Sequence, residues 1–164
     1  MTASDPHRLR PDHLPTPFTA EEIRVGCQPG RMVRSLVVQA GEDPVVHVTR
    51  FVSADAVGAE QESWEETPDG ARLSEPERRQ STWLGFQEHA SFPAATTEVA
   101  GEEIEIPAGR FACLRYTNRD GERLRTFWFA SSVPGMPLRF EERVNGAIVF
   151  SSTAIENIPG AETP

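Results

Sequence analysis

The chain has 164 residues, with 25 acidic and 16 basic side chains and a formal net charge of -9. That length suits one domain able to bury its own core without a disulfide framework or a structural metal. The acidic balance argues against a nucleic-acid groove, which needs clustered positive charge. Every basic side chain is arginine, so Schiff-base lysine and P-loop lysine chemistry are both excluded.

Residues 1–17 are rich in proline and carry His7 and His13, with no apolar run of the roughly 7–15 residues that a signal peptide uses. They read as a disordered arm. No window approaches the roughly 18 consecutive apolar residues of a membrane span, so the expectation is a cytoplasmic chain with no membrane insertion. Cys27 and Cys113 lie far apart and outside any C-x-x-C pair, which reads as two small buried apolar residues.

Thr19-Ala-Glu-Glu22 has the form of a capping box, and Gly26, Pro29 and Gly30 stop the short helix it starts. Strand-like runs follow at Arg31 to Ala40 and Val45 to Val52, with Gly41 to Pro44 between them as a hairpin turn. Val57 to Glu66 continues the pattern, and Pro68-Asp69-Gly70 turns the chain into Ala71 to Ser74. The charged stretch Glu75 to Gln80 reads as a surface loop. Ser81 to Ala90, with Trp83, Leu84 and Phe86, reads as a helix of two to three turns capped by Ser81 and ended before Pro93.

Beyond Pro93 the punctuation becomes regular. Strands are expected over Glu102 to Ile106, Arg110 to Asn118, Glu122 to Ala130, Leu138 to Val144 and Ala147 to Glu156. Asp120-Gly121 and Asn145-Gly146 supply the positive φ values of type I′ hairpins. Phe127, Trp128 and Phe129 are consecutive, so the strand that holds them presents aromatic side chains to both faces. The tail from residue 159 reads as frayed.

Two segments, Ile106-Pro-Ala-Gly-Arg-Phe-Ala-Cys-Leu-Arg-Tyr116 and Phe127-Trp-Phe-Ala-Ser-Ser-Val-Pro-Gly-Met-Pro-Leu-Arg139, together resemble a group of uncharacterised bacterial β-rich proteins. In that group a PAG-x-F hairpin leads to a strand ending in WF, a PG-x-P loop and a return strand. The group is similar to half-barrel lipoprotein carriers and lipoprotein-localisation domains. The resemblance covers residues 101–157 and implies a curved antiparallel sheet around an apolar groove plugged by helices.

The fold expected is therefore mainly β: a curved antiparallel sheet or half-barrel of about eight or nine strands, with the two short helices on its concave face. One β-rich domain spans residues 18–158. The functional expectation is a non-enzymatic binding or carrier module for a hydrophobic small molecule or acyl chain, lined by Trp83, Phe86, His89, Phe92, Phe127, Trp128 and Phe129. His89 itself reads first as a helix C-cap. The alternative is a protein-interaction or assembly module with a filled core, docking an unknown protein partner through a sheet edge or the Pro134 to Pro137 loop. A third reading is a hydrolase or isomerase using His89 as base and Cys113 as nucleophile. No cofactor is implied. Cys27, Cys113, His47 and His89 lack the short spacings of a zinc site, so no metal is expected. His47, on the opposite strand face from Val46 and Val48, reads as solvent-facing. The acidic runs Glu102, Glu103, Glu105 and Glu141, Glu142 read as solvated faces and Arg-Glu pairs, involving for instance Arg139 or Arg143.

Overall fold

Asn145 and Gly146 adopt φ values of 52° and 83°, both in the left-handed region that a type I′ turn demands, and so join two strands by the tightest connection available. Short strands and tight turns of this kind build the molecule. The computed structural model describes residues 4–161. Its nine strands are β1 (Met32–Gln39), β2 (Val45–Ala54), β3 (Gly58–Glu66), β4 (Glu77–Thr82), β5 (Thr97–Ile106), β6 (Gly109–Asp120), β7 (Arg123–Ala130), β8 (Arg139–Val144) and β9 (Ala147–Ile158). They form one antiparallel sheet in the order β4-β3-β2-β1-β9-β8-β7-β6-β5. Two meanders, β1 to β4 and β5 to β9, thus meet along the β1–β9 seam, and the sheet stays open with β4 and β5 at its edges. Register shifts in the β1–β9, β2–β3 and β8–β9 pairs bend it.

Helices α1 (Ala20–Gly26) and α2 (Trp83–Glu88) cover part of one face. The capping box of α1 forms as expected: Thr19 Oγ1 accepts from the Glu22 amide at 3.1 Å, and Glu22 Oε1 accepts from the Thr19 amide at 3.0 Å. The cap of α2 is Thr82 rather than Ser81, its hydroxyl accepting from the Gly85 amide. Phe18, Ile23, Phe51, Trp83, Tyr116 and Phe129 are the large members of the cluster between the helices and the sheet. On β7, alternation sends Phe127 and Phe129 into this cluster and Trp128 to the opposite face.

Four local expectations are corrected. The first concerns the N-terminal arm, which from residue 4 onward is a hydrogen-bonded strap; Met1 to Ala3 lie outside the described residues. The Thr16 amide donates to His7 O at 2.7 Å, the Leu14 amide to Phe92 O at 2.9 Å, and the Ala94 amide to Asp12 O at 2.9 Å. Its prolines have no amide to satisfy, which is why a proline-rich sequence can lie flat on a core. Secondly, Glu75 to Gln80 is not a loop: most of it belongs to the edge strand β4, while Ala71 to Ser74 contributes only the bridge between Glu66 and Arg72. An edge strand with both faces in water shows no hydrophobic alternation. Thirdly, Asp120 pairs with Arg123, which places Gly121 and Glu122 at the centre of the turn, and only Gly121 has positive φ. That glycine-first arrangement is the type II′ pattern, one residue along from the expected type I′. Lastly, in the expected frayed tail the Ala161 amide donates to Pro29 O at 3.0 Å; Glu162 to Pro164 lie outside the described residues.

The strap, α1 and α2 are tied together by one buried amide. Gln87 Oε1 accepts from the Ala20 amide at 2.9 Å, while its Nε2 donates to Pro6 O at 3.0 Å and to Thr16 Oγ1 at 2.9 Å. Replacing Gln87 with Leu strands these partners, with an expected loss of about 2 kcal/mol. In hydrogen exchange, the Leu14 and Thr16 amides should lose protection while those of β6 and β7 keep theirs. Unchanged exchange at Leu14 would show that the strap is held by other means.

Candidate functional site

The two faces of the sheet are built on different chemistry. On the face away from the helices, indole rings are framed by arginine and glutamate. Trp128 Nε1 donates to Glu102 at 2.8 Å beneath the Arg139 guanidinium, 4.8 Å from the ring centre. Trp64 Nε1 donates to Glu66 at 2.8 Å, with Arg72 at 4.7 Å from its ring. The donation from Trp128, with Arg115 close by, holds the Glu102 carboxyl below its ordinary range. Arg34 pairs with Glu66 at 2.8 Å, Arg50 pairs with Glu62, and Arg139 and Arg143 both pair with Glu141. These glutamates thus have arginine partners, as expected for Arg-Glu pairs.

The helix-bearing face is aromatic. Phe92 meets Phe127 at 4.9 Å between ring centres, Phe127 meets Phe140 at 4.8 Å, and Phe140 meets Phe150 at 5.7 Å. The Tyr116 ring stands edge-on to Phe129 at 5.6 Å. The row of rings therefore starts under the strap and runs out from beneath the helices to Phe150.

Of the residues predicted to line a ligand site, Trp83, Phe86, Phe92, Phe127 and Phe129 belong to or pack on this one cluster. They contact each other and the strap. Trp83 Nε1 donates to Asp55 O at 2.8 Å, which fixes the indole as part of the cover. Trp128 is separated from the others by the sheet. His89 is exposed and is the C-cap residue of α2.

His89 and Cys113 are not brought together. Cys113 sits in the cluster that contains Trp128, on the other side of the sheet from α2. Burial pushes its thiol pKa up, and the nearby Glu102 pushes it further. Cys27 is buried beside Arg31, where desolvation raises its thiol pKa against the opposing effect of the guanidinium. Both cysteines are free thiols, and among the described residues no group of three or more His, Cys, Asp or Glu side chains could hold a metal.

Where the helices end, the aromatic face stays uncovered. A groove of about 510 Å³ lies there, floored by Val37, Val45, Phe140 and Phe150 with Ser35, His47 and Ser152 between them, and walled by Met136 and Pro137. His47 is on the opposite strand face from Val46 and Val48, as read from the sequence, but it faces this groove and is half-buried. Sequence reasoning passed over these residues because small polar side chains break the apolar alternation along β1, β2 and β9. The unevenness itself was the available signal.

The Pro134 to Pro137 loop is anchored from below. Arg31, 1% exposed, donates through Nη1 to Pro134 O at 2.5 Å and to Cys27 Sγ at 2.9 Å, and through Nε to Asn157 Oδ1 at 3.3 Å. Gly135 has φ +126°, and a Cβ there would stand 2.8 Å from Arg31 Nη1 and 2.9 Å from Cys27 Sγ. Glycine is required on both counts.

An open, curved, antiparallel sheet with a helical cover on one face defines the structural class. Among solved structures, the chain is similar to a Bacteroides fragilis protein with a YmcC-like fold that is classed as exported: 12% identity, 83% of this chain, 99% of that one, TM-score 0.51. It is also similar to MucB: 14% identity, 87% of this chain, 57% of that one, TM-score 0.59. MucB in complex with MucA(peri) gives 14% identity over 86% of this chain and 54% of that one, TM-score 0.60. The chain spans little more than half of MucB. No family model matches the sequence, and no curated protein matches it significantly. These likenesses establish the β-rich fold and do not single out the lipoprotein carriers. They also overturn the cytoplasmic expectation, since the fold occurs in a protein classed as exported and in MucB, seen in complex with MucA(peri). No helix among the described residues is long and apolar enough to cross a membrane.

Tyr116 offers a direct check of the packed aromatic face. It is the one tyrosine of the chain, and no lysine titrates near it. Its ring is buried, its hydroxyl donates to Pro15 O at 2.8 Å, and burial pushes its pKa up to about 12. Because the folded pKa lies above the unfolded value near 10, the stabilisation is whole below pH 10 and is lost as pH rises toward 12. The expected loss is about 2 kcal/mol. Phenolate absorbance should not appear near pH 10, and the Tyr116→Phe variant should lose this part of the alkaline dependence in urea melts. A phenol titrating near pH 10 would mean that the strap does not cover the ring.

Proposed function

We propose that the chain is a non-enzymatic protein-interaction module and that the groove floored by Val37, Val45, Phe140 and Phe150 is its docking surface. The observation that carries this reading is the division of the aromatic face. Its inner part is filled by Trp83, Phe86, Phe92 and Phe18 from the chain's own cover, and its outer part is left open. A carrier of a free acyl chain or other hydrophobic small molecule would use the space under α2, and that space holds rings in mutual contact. Exposed apolar floor with a polar rim is the surface that partner proteins cover. The likeness to MucB, seen in complex with MucA(peri), supports the same reading. The free sheet edges are poorer candidates, since β4 carries Glu77, Arg78 and Arg79, and β5 carries Glu98, Glu102, Glu103 and Glu105, charges that discourage strand addition.

A photo-crosslinking side chain placed at Val45 or Phe150 in the chain's native cells should capture a discrete protein. The same side chain at Glu103, on the β5 edge, should not. Capture of lipid alone at Val45 and Phe150 would overturn the reading in favour of a carrier.

A further inference from the structure

The groove has an acidic rim on one side and an apolar wall on the other. Glu42 and Asp43, in the β1–β2 turn, and Glu65, on β3, line it, and no arginine does. All three are exposed. Elsewhere on β3, Glu60, Glu62 and Glu66 are each paired with an arginine: Arg78, Arg50 and Arg34. Glu65 pairs across the ladder with His47 and faces the groove, and neither it nor Glu42 nor Asp43 has an ion-pair partner among the described residues. Adjacent glutamates of one strand, Glu65 and Glu66, thus differ in this respect according to the face they occupy.

The apolar and acidic parts are also separated in space. Met136, Pro137 and Phe140 belong to the β8 side of the groove, while Glu42, Asp43 and Glu65 belong to the β1–β2 turn and β3. An occupant that buried these carboxylates without a counter-charge would bear their desolvation cost. A fatty acid or an anionic phospholipid would bring further negative charge to an acidic rim. The floor strands β1, β2, β8 and β9 are interior strands with neighbours on both sides, so their backbone groups are consumed in the ladders. An extended segment would find no edge to pair with, whereas a helix satisfies its own backbone and presents a stripe of side chains.

We infer that the groove takes an amphipathic helix of a partner protein, with its apolar stripe on Phe140 and Phe150 and with lysine or arginine side chains against Glu42, Asp43 and Glu65. This rests on the interaction reading above and specifies the partner's chemistry.

The test measures binding of the full chain to labelled synthetic helices of about 18 residues, or five turns. One is amphipathic and basic, one carries glutamate in place of each basic residue, and one is a scrambled basic peptide without an apolar stripe. Oleate and anionic phospholipid vesicles are tested alongside. The amphipathic basic helix should bind, more weakly as salt rises. The triple variant Glu42→Gln, Asp43→Asn, Glu65→Gln should weaken it at least about tenfold. The charge-matched triple variant Glu88→Gln, Glu98→Gln, Glu122→Gln should change it by less than about twofold. Phe150→Ser should also weaken it, with circular dichroism confirming that each variant is folded.

Equal losses in the two triple variants would overturn the inference, because the attraction would then be that of an acidic surface at large. Binding of the acidic or scrambled helix as tightly as the amphipathic basic one, still abolished by Phe150→Ser, would overturn the partner chemistry and leave the docking groove standing. Binding of oleate or vesicles in place of every helix, with no protein captured at Val45 or Phe150, would overturn both.

Discussion

The cover over the aromatic face depends on Gln87. A single amide, 2% exposed, accepts the first amide of α1 and donates to the backbone of Pro6 and the hydroxyl of Thr16. A buried side chain with each of these partners satisfied holds the strap and α1 to the distant α2 as one lid, and release of any one of them would leave a buried polar group unpaired. The lid is short. Helices of 7 and 6 residues cannot span a nine-stranded sheet, so part of the aromatic face lies beyond their reach. The open groove follows from that limited cover.

A second anchor sets the far wall of the groove. Arg31 is buried among neutral acceptors from α1, the Pro134 loop and β9, and the glycine at position 135 lets the loop descend onto it. Met136 and Pro137 are thereby placed against the end of β8. The P-G-x-P sequence is thus a structural device that shapes a wall, with the guanidinium as its support. On the opposite face arginine serves differently, lying over indole rings and pairing with glutamates. The arginine-only composition suits that face because a planar cation can stack and pair at once.

Much of the architecture was legible in the residues. Asn145-Gly146, the capping box at Thr19 and Glu22, and the alternation around Phe127 to Phe129 act over a few residues, so local rules find them. The edge strand β4 escaped notice because Glu77 to Gln80 join β3 through the backbone ladder and keep exposed side chains, with Arg78 reaching across to Glu60. The strap escaped because Pro15 and Thr16 are tied to the core by Tyr116 and Gln87, 101 and 71 positions away. The groove was hidden for a related reason. Val37, Val45, Phe140 and Phe150 come from four strands, and Ser35, His47 and Ser152 interrupt the runs on β1, β2 and β9, so no window of sequence contains the surface.

By itself the sequence determined a mainly β chain, its hairpins, its two short helices and the aromatic strand facing both ways, because period, capping and turn chemistry are local properties. It also settled that lysine chemistry has no place here. Only the tertiary structure decided which aromatic side chains bury one another and which remain open, and which acids find an arginine. Those outcomes depend on the β1–β9 seam and on the cover held by Gln87. Both are contacts between segments far apart in sequence, and no local pattern encodes them.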